Sequence, residues 1–84
     1  MDLTHAILTT HAISRMANRD FGEADVRHVL AHPEAIMDIR PGRVVAQALV
    51  GKHLWRVFVD VDRSPPEVVT IYRTKQIKKY RSKP

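Results

Sequence analysis

A histidine and an arginine four residues apart open the most chemically suggestive stretch of the chain. Thr10 to Arg19 reads Thr-His-Ala-Ile-Ser-Arg-Met-Ala-Asn-Arg. Wound as a helix at about 100° per residue, it gathers Ala12, Ile13, Met16 and Ala17 on one side. His11, Ser14, Arg15 and Asn18 gather on the other, with Arg19 at the border. His11 and Arg15 are then neighbours. A side chain that titrates near neutral pH thus sits beside a cation whose planar fork of donors suits a phosphate. The same pattern also describes an amphipathic surface helix whose polar face is merely solvated.

The elements that position this pair can be read in turn. Thr10 can cap the helix through its hydroxyl, and the helix ends near Asp20. Met1 to Leu8 is weakly patterned. Phe21 to Val26 begins a second helix, with Gly22 as an acceptable N-cap, acids in the first turn, and Phe21 placed to staple onto Val26. Val26, Val29 and Leu30 make its buried stripe, and Pro33 stops it. So short a link predicts a tight helical hairpin. After Pro33 the apolar period changes from 3.6 to 2. Ala35 to Arg40, Arg43 to Val50, His53 to Val61 and Val68 to Arg73 read as four strands. Pro41-Gly42 suits a type II turn, Gly51-Lys52 a two-residue II′ loop, and Asp62 to Pro66 a loop, since prolines cannot donate to a ladder. Thr74 could cap a short last helix, Lys75 to Tyr80. The expected fold is α+β: an N-terminal helical hairpin packed on a four-stranded antiparallel sheet, with a short C-terminal helix. All 84 residues form one domain, with a basic tail over 74–84.

Hairpin register sorts the two sheet faces. Pairing Val50 with His53 sets Ala48 opposite Trp55, Ala46 opposite Val57 and Val44 opposite Val59. A simple turn at Pro41-Gly42 adds Met37 and Ile39 to this apolar side, which the helices should cover. The second face carries Asp38, Val45, Gln47, Leu49, Leu54, Arg56, Phe58 and Asp60, with Arg56 opposite Gln47. If Val69 and Ile71 point to the core, Thr70 and Tyr72 join Arg56. The outer face of an antiparallel sheet is ordinarily mixed, but Leu49, Leu54 and Phe58 make this one greasier than solvent alone requires.

Composition and charge narrow the classes. Apolar residues make up 44% and charged residues 27%, as in ordinary globular proteins. No apolar run approaches the roughly 20 residues of a membrane helix, and Met1 to Leu8 has no basic n-region, so a cytoplasmic protein is expected. The absence of cysteine excludes disulfides and thiolate metal sites. The net charge of +5 is uneven: residues 1–67 hold all nine acids and eight of the 14 Lys and Arg, whereas residues 68–84 hold six basic groups and no acid. Nucleic acid is the commonest anionic partner of a small basic protein, and an acidic protein is the main rival.

These residues also carry a resemblance. Ile7-Leu8-Thr9-Thr10-His11-Ala12, then Arg15-Met16, Arg19, Phe21 and Asp25-Val26, resemble the opening of a bacterial family known as domain of unknown function 4258. Val68-Val69-Thr70-Ile71-Tyr72-Arg73-Thr74 looks like that family's last strand. Gly22 departs from the pattern, where a Ser-like cap is expected. The resemblance implies a relation to RelE-like toxins and small ribonucleases. It implies RNA, ribosome-bound mRNA included, as substrate, and a cognate antitoxin as partner. Metal-free RNA cleavage needs a base for the 2′-OH proton, an acid for the leaving oxygen and cations for the phosphorane. His11 and Arg15 are carried over from the matched motif. Arg56 and Tyr72 join them as catalytic candidates from the register. Arg19, Gln47, Thr70, Arg73, Lys75, Lys78, Lys79, Tyr80 and Arg81 are the candidate nucleic-acid contacts. Ile77 and Tyr80 are also spaced to pack back on the domain.

Other readings stand beside this one. A helix docked by its apolar stripe points His11 away from the floor holding Arg56, so a joint site needs that helix at a sheet edge or a strongly curved sheet. Otherwise His11 would bond a backbone group and Arg15 an acid such as Asp25. His28 and His32 have a zinc-compatible spacing but no evident third ligand, so neither metal nor cofactor is expected. The alternatives to a ribonuclease are a non-catalytic nucleic-acid- or protein-binding module and a toxin relative acting on a protein.

Overall fold

The computed structural model describes residues 1–81, the last of these for its backbone alone. The elements run β1 (Ile7–Leu8), α1 (Thr10–Arg19), α2 (Glu23–Ala31), β2 (Ala35–Arg40), β3 (Arg43–Val50), β4 (His53–Asp60), β5 (Glu67–Thr74) and α3 (Ile77–Arg81). The sheet has five strands in the order β1-β5-β4-β3-β2. β1 pairs with β5 in parallel and the other pairs are antiparallel. The fold is therefore α+β with a mixed sheet, and the expected four-stranded antiparallel sheet lacks β1. Two residues are too few for a periodic signal. Ile7 N–H donates to the Pro66 carbonyl at 2.9 Å and Thr9 N–H to that of Val68 at 3.2 Å. Leu3 and Ala6, each 1% exposed, anchor the segment in the core.

Thr9, not Thr10, caps α1. Its hydroxyl accepts from Ala12 N–H at 3.1 Å and donates to the Val68 carbonyl at 2.9 Å. One side chain thereby closes the helix start and ties it to β5. At the other end Asp20 takes the left-handed conformation (φ 57°), its N–H bonded to Met16, a turn that Asp tolerates better than most residues. Phe21 then dives into the core against Trp55, the ring centroids 4.8 Å apart. The chain is redirected there, so α1 lies against β5 while α2 lies against β3 and β4. The expected tight helical hairpin is absent because each helix buries its stripe on the sheet rather than on its neighbour.

The register of β3 with β4 is the one expected, from Val50 opposite His53 to Val44 opposite Val59. The turn glycines behave as their positions require. Gly42 has φ +83°, and a Cβ there would meet the Asp62 carboxylate at 2.8 Å. β2 departs from expectation. Arg40 pairs with Arg43, but Asp38 pairs with Val44 and Met37 with Val45, with an irregularity between Asp38 and Arg40. Ile39 is the extra residue of a β-bulge, which moves every preceding side chain to the opposite face. Ile36, not Met37, packs on the core, Met37 pairs with Val45 of the second face, and Ile39 is 46% exposed.

α1 and α2 cover one sheet face, burying Val44, Ala46, Ala48, Trp55, Val57, Val59, Val68 and Ile71. The second face is closed in part by α3: Gln47 Nε2 donates to the Tyr80 carbonyl at 3.3 Å. The last helix starts at Ile77 rather than Lys75, after the Thr74 hydroxyl has accepted from Gln76 N–H. No helix among the described residues is long and apolar enough to cross a membrane.

The double duty of Thr9 has a measurable consequence. Thr9→Ala should cost about 1 kcal/mol or more and lower the Tm by about 4–8 °C per kcal/mol. The exposed Thr10→Ala change should cost less than about 0.5 kcal/mol; parallel thermal melts compare the two.

Candidate functional site

Cross-strand pairing arranges the second face in rows. Arg43, Asp60 and Glu67 form one, Val45, Phe58 and Thr70 the next, and Gln47, Arg56 and Tyr72 the third. Thr70 reaches this face despite a second irregularity. Phe58 pairs with Thr70 but Val59 with Val68, which leaves Val69 as the extra residue on β5.

The third row is a closed polar cluster. Arg56 Nε donates to Gln47 Oε1 at 3.1 Å, and its Nη1 donates to the Tyr72 hydroxyl at 2.6 Å. The guanidinium lies 4.4 Å from the centroid of Tyr80, 5.5 Å from Phe58 and 5.7 Å from Tyr72. Burial pushes the Tyr72 phenol up, against the opposing pull of the Arg56 hydrogen bond. Tyr80 is drawn down, first by hydrogen bonding to Tyr72 and then by nearby Lys79 and Arg56. Gln47 is 3% exposed. Four sequence candidates thus meet here, bonded to one another under α3. Lys78 and Lys79 are exposed on α3, and the Arg81 side chain lies outside the described residues.

The other half of the predicted constellation opens to solvent. Because α1 lies along β5, its polar side reaches the second face at the sheet edge. There His11 and Arg15 line a groove of about 540 Å³ with Thr9, Arg43, Val69 and Thr70. Arg56 and Tyr72 do not line it, so the four catalytic candidates do not form one site. Neither does the structural alternative hold. Among the described residues His11 bonds no backbone group and Arg15 forms no ion pair with Asp25. Arg15 Nε is instead shut off from solvent with no hydrogen-bond partner. Leaving such a charged donor unpaired costs on the order of 1–3 kcal/mol.

Thr9, Arg43 and Val69 are groove residues that sequence reasoning did not single out, and Arg43 is the charged one. Its Nε donates to Asp60 Oδ1 at 2.6 Å and its Nη2 to Oδ2 at 3.1 Å. That leaves guanidinium donors on Nη1 for another acceptor. Asp60 is also approached by Arg63 Nη2 at 3.5 Å. The signal was available, since the expected register puts Arg43 opposite Asp60. Hydrogen bonding from Arg43 is the main cause holding the Asp60 carboxyl below its usual range.

A second groove, of about 450 Å³, opens at the far end of α1 between Arg19, Phe21, His53, Arg73, Thr74, Lys75 and Gln76. It brings together three more of the predicted contacts. The His28 and His32 rings are 5.2 Å apart; among the described residues no three metal-ligating side chains converge.

The family model described as Domain of unknown function (DUF4258) matches residues 8–73. That span contains all six residues of the first groove and excludes α3. No curated protein and no solved structure matches the chain.

Two outcomes follow from these contacts. Arg56→Met keeps the stem but removes donors from Gln47 and Tyr72, and should cost about 1.5–3 kcal/mol, read by urea unfolding. The lowered Asp60 pKa contributes stability that is complete above the unfolded value, about 3.9, and is lost as pH falls through the folded one. Stability measured from pH 5 to 2 should therefore fall more steeply for the wild type than for Asp60→Asn.

Proposed function

The chain belongs to the family described as Domain of unknown function (DUF4258), whose description names no activity, and from its groove we propose that it is a toxin-type endoribonuclease that cleaves RNA without a metal at His11 and Arg15. The observation that carries this reading is the gathering of His11, Arg15, Arg43 and Thr70 around one open groove. A phosphodiester there accepts hydrogen bonds from the terminal guanidinium nitrogens of the half-buried Arg15 and from the spare Arg43 donors. The imidazole lies at the same groove wall and is the side chain suited to proton transfer near neutral pH.

The reaction follows from these parts. The ribose 2′-oxygen attacks the adjacent phosphorus as His11 takes its proton. Arg15 and Arg43 hold the charge that builds on the non-bridging oxygens. The bond from phosphorus to the 5′-oxygen breaks, and that oxygen takes a proton from water. The products are a 2′,3′-cyclic phosphate and a 5′-hydroxyl. In this reading Arg56 and Tyr72 stiffen the floor beside the groove and do not touch the phosphate. The relation to RelE-like toxins, with an antitoxin that occludes the groove, belongs to the same proposal.

A second reading, a non-catalytic binding module, is favoured by the self-contained Arg56 cluster, which leaves half of the predicted catalytic set engaged. Cleavage of labelled RNA in the presence of EDTA separates the two. The wild type should yield cyclic-phosphate ends. His11→Ala should lose about 10²–10⁴-fold in rate, and Arg15→Gln about 10²–10³-fold. Undiminished cutting by His11→Ala, or binding with no cutting by any form, overturns the ribonuclease assignment.

A further inference from the structure

We propose that the second groove is a further phosphate subsite for the same RNA strand, so that the strand follows the seam between α1 and β5. The proposal rests on the RNA reading above and adds a path and a length to it. Thr9 is tied to Val68 at the start of the seam, and Arg19 meets Arg73 in the groove at its end. α1 therefore runs beside β5 in the same direction. His11, Arg15 and Arg19 are successive fourth residues along α1, a stripe that turns by about 40° per step. Its ends open into the two grooves.

The second groove has the chemistry of a polyanion contact. Arg19, Arg73 and Lys75 line it together with His53. Among the described residues no carboxylate lies within ion-pairing distance of any of the three cations, in contrast to Arg43 and Arg63. The Arg73 guanidinium is held 5.0 Å above the Phe21 ring, which fixes the cation without using its donors. β1 pairs with β5 only at Glu67 and Val68, so no strand blocks the route between the grooves. From His11 to Arg19 the helix rises about 12 Å, room for about three to four nucleotides at the roughly 3.4 Å rise of a stacked strand. A dinucleotide then reaches one groove and a hexanucleotide both.

The test uses 2′-O-methyl oligoribonucleotides of two and six nucleotides, which lack the attacking hydroxyl, with binding read by fluorescence anisotropy across salt concentrations. The wild type should bind the hexamer at least tenfold more tightly than the dimer. Arg19→Gln/Lys75→Gln alters two exposed cations and should remove most of that gain. It should also reduce the salt slope for the hexamer by about 1.4, from about 0.7 per phosphate contact. Arg73→Gln should act in the same direction, and Arg40→Gln on the opposite sheet edge should not. Thermal melts establish that each variant is folded. If the double variant keeps the full gain, or the wild type binds both lengths equally, the second subsite is wrong while the RNA reading survives. If the wild type binds neither length, both fall. Displacement by polyglutamate as readily as by RNA would give the groove to an acidic protein segment and overturn the proposal.

Discussion

The Thr9 hydroxyl carries an unusual share of the architecture. By accepting from Ala12 and donating to Val68, it fixes both where α1 begins and which strand it follows. The apolar stripe of α1 alone would allow it to lie anywhere on the core face. The tie at Val68, the left-handed turn at Asp20 and the insertion of Phe21 against Trp55 hold it along the edge of β5 instead. A helix at an edge has access to both sides of a sheet. That position brings His11 and Arg15 to Thr70, whose side chain belongs to the face opposite the main core.

Two polar clusters result, in opposite states. Around Arg56, Nε and Nη1 are bonded to Gln47 and Tyr72 within the domain, and the Tyr80 ring packs against the guanidinium. Hydrogen-bonded side-chain networks of this kind favour a single arrangement. Around Arg15, a donor is left without an acceptor, beside an imidazole and next to an arginine whose position Asp60 fixes. The proposed division of labour is therefore a rigid floor at Arg56 and an anion-binding edge at Arg15.

Much of this was legible in the sequence, for identifiable reasons. Gly51-Lys52 set the β3–β4 register, which placed Gln47 opposite Arg56. Tyr72 joined that row through the alternation of β5, where Ile71 lies in the core as expected but Val68 rather than Val69 accompanies it. The helix period gave α1 its polar face. The misses have physical causes as well. The bulge at Ile39 adds one residue without any local signal, and so exchanged the faces of Ile36 and Met37. β1 is too short to show a period, yet it fixes the seam. The adjacent Thr9 and Thr10 are chemically equivalent caps, and only the carbonyl of Val68, far along the chain, distinguishes them. The division into two clusters depended on the edge placement of α1, which no local pattern encodes.

Nuclear magnetic resonance titration with a 2′-O-methyl dinucleotide most directly tests which cluster receives the phosphate. The account predicts shifts centred on His11, the Arg15 side chain and Thr70, with Tyr72 and Tyr80 unmoved. Shifts centred instead on Arg56, Tyr72 and Tyr80, with His11 and Arg15 silent, would contradict it.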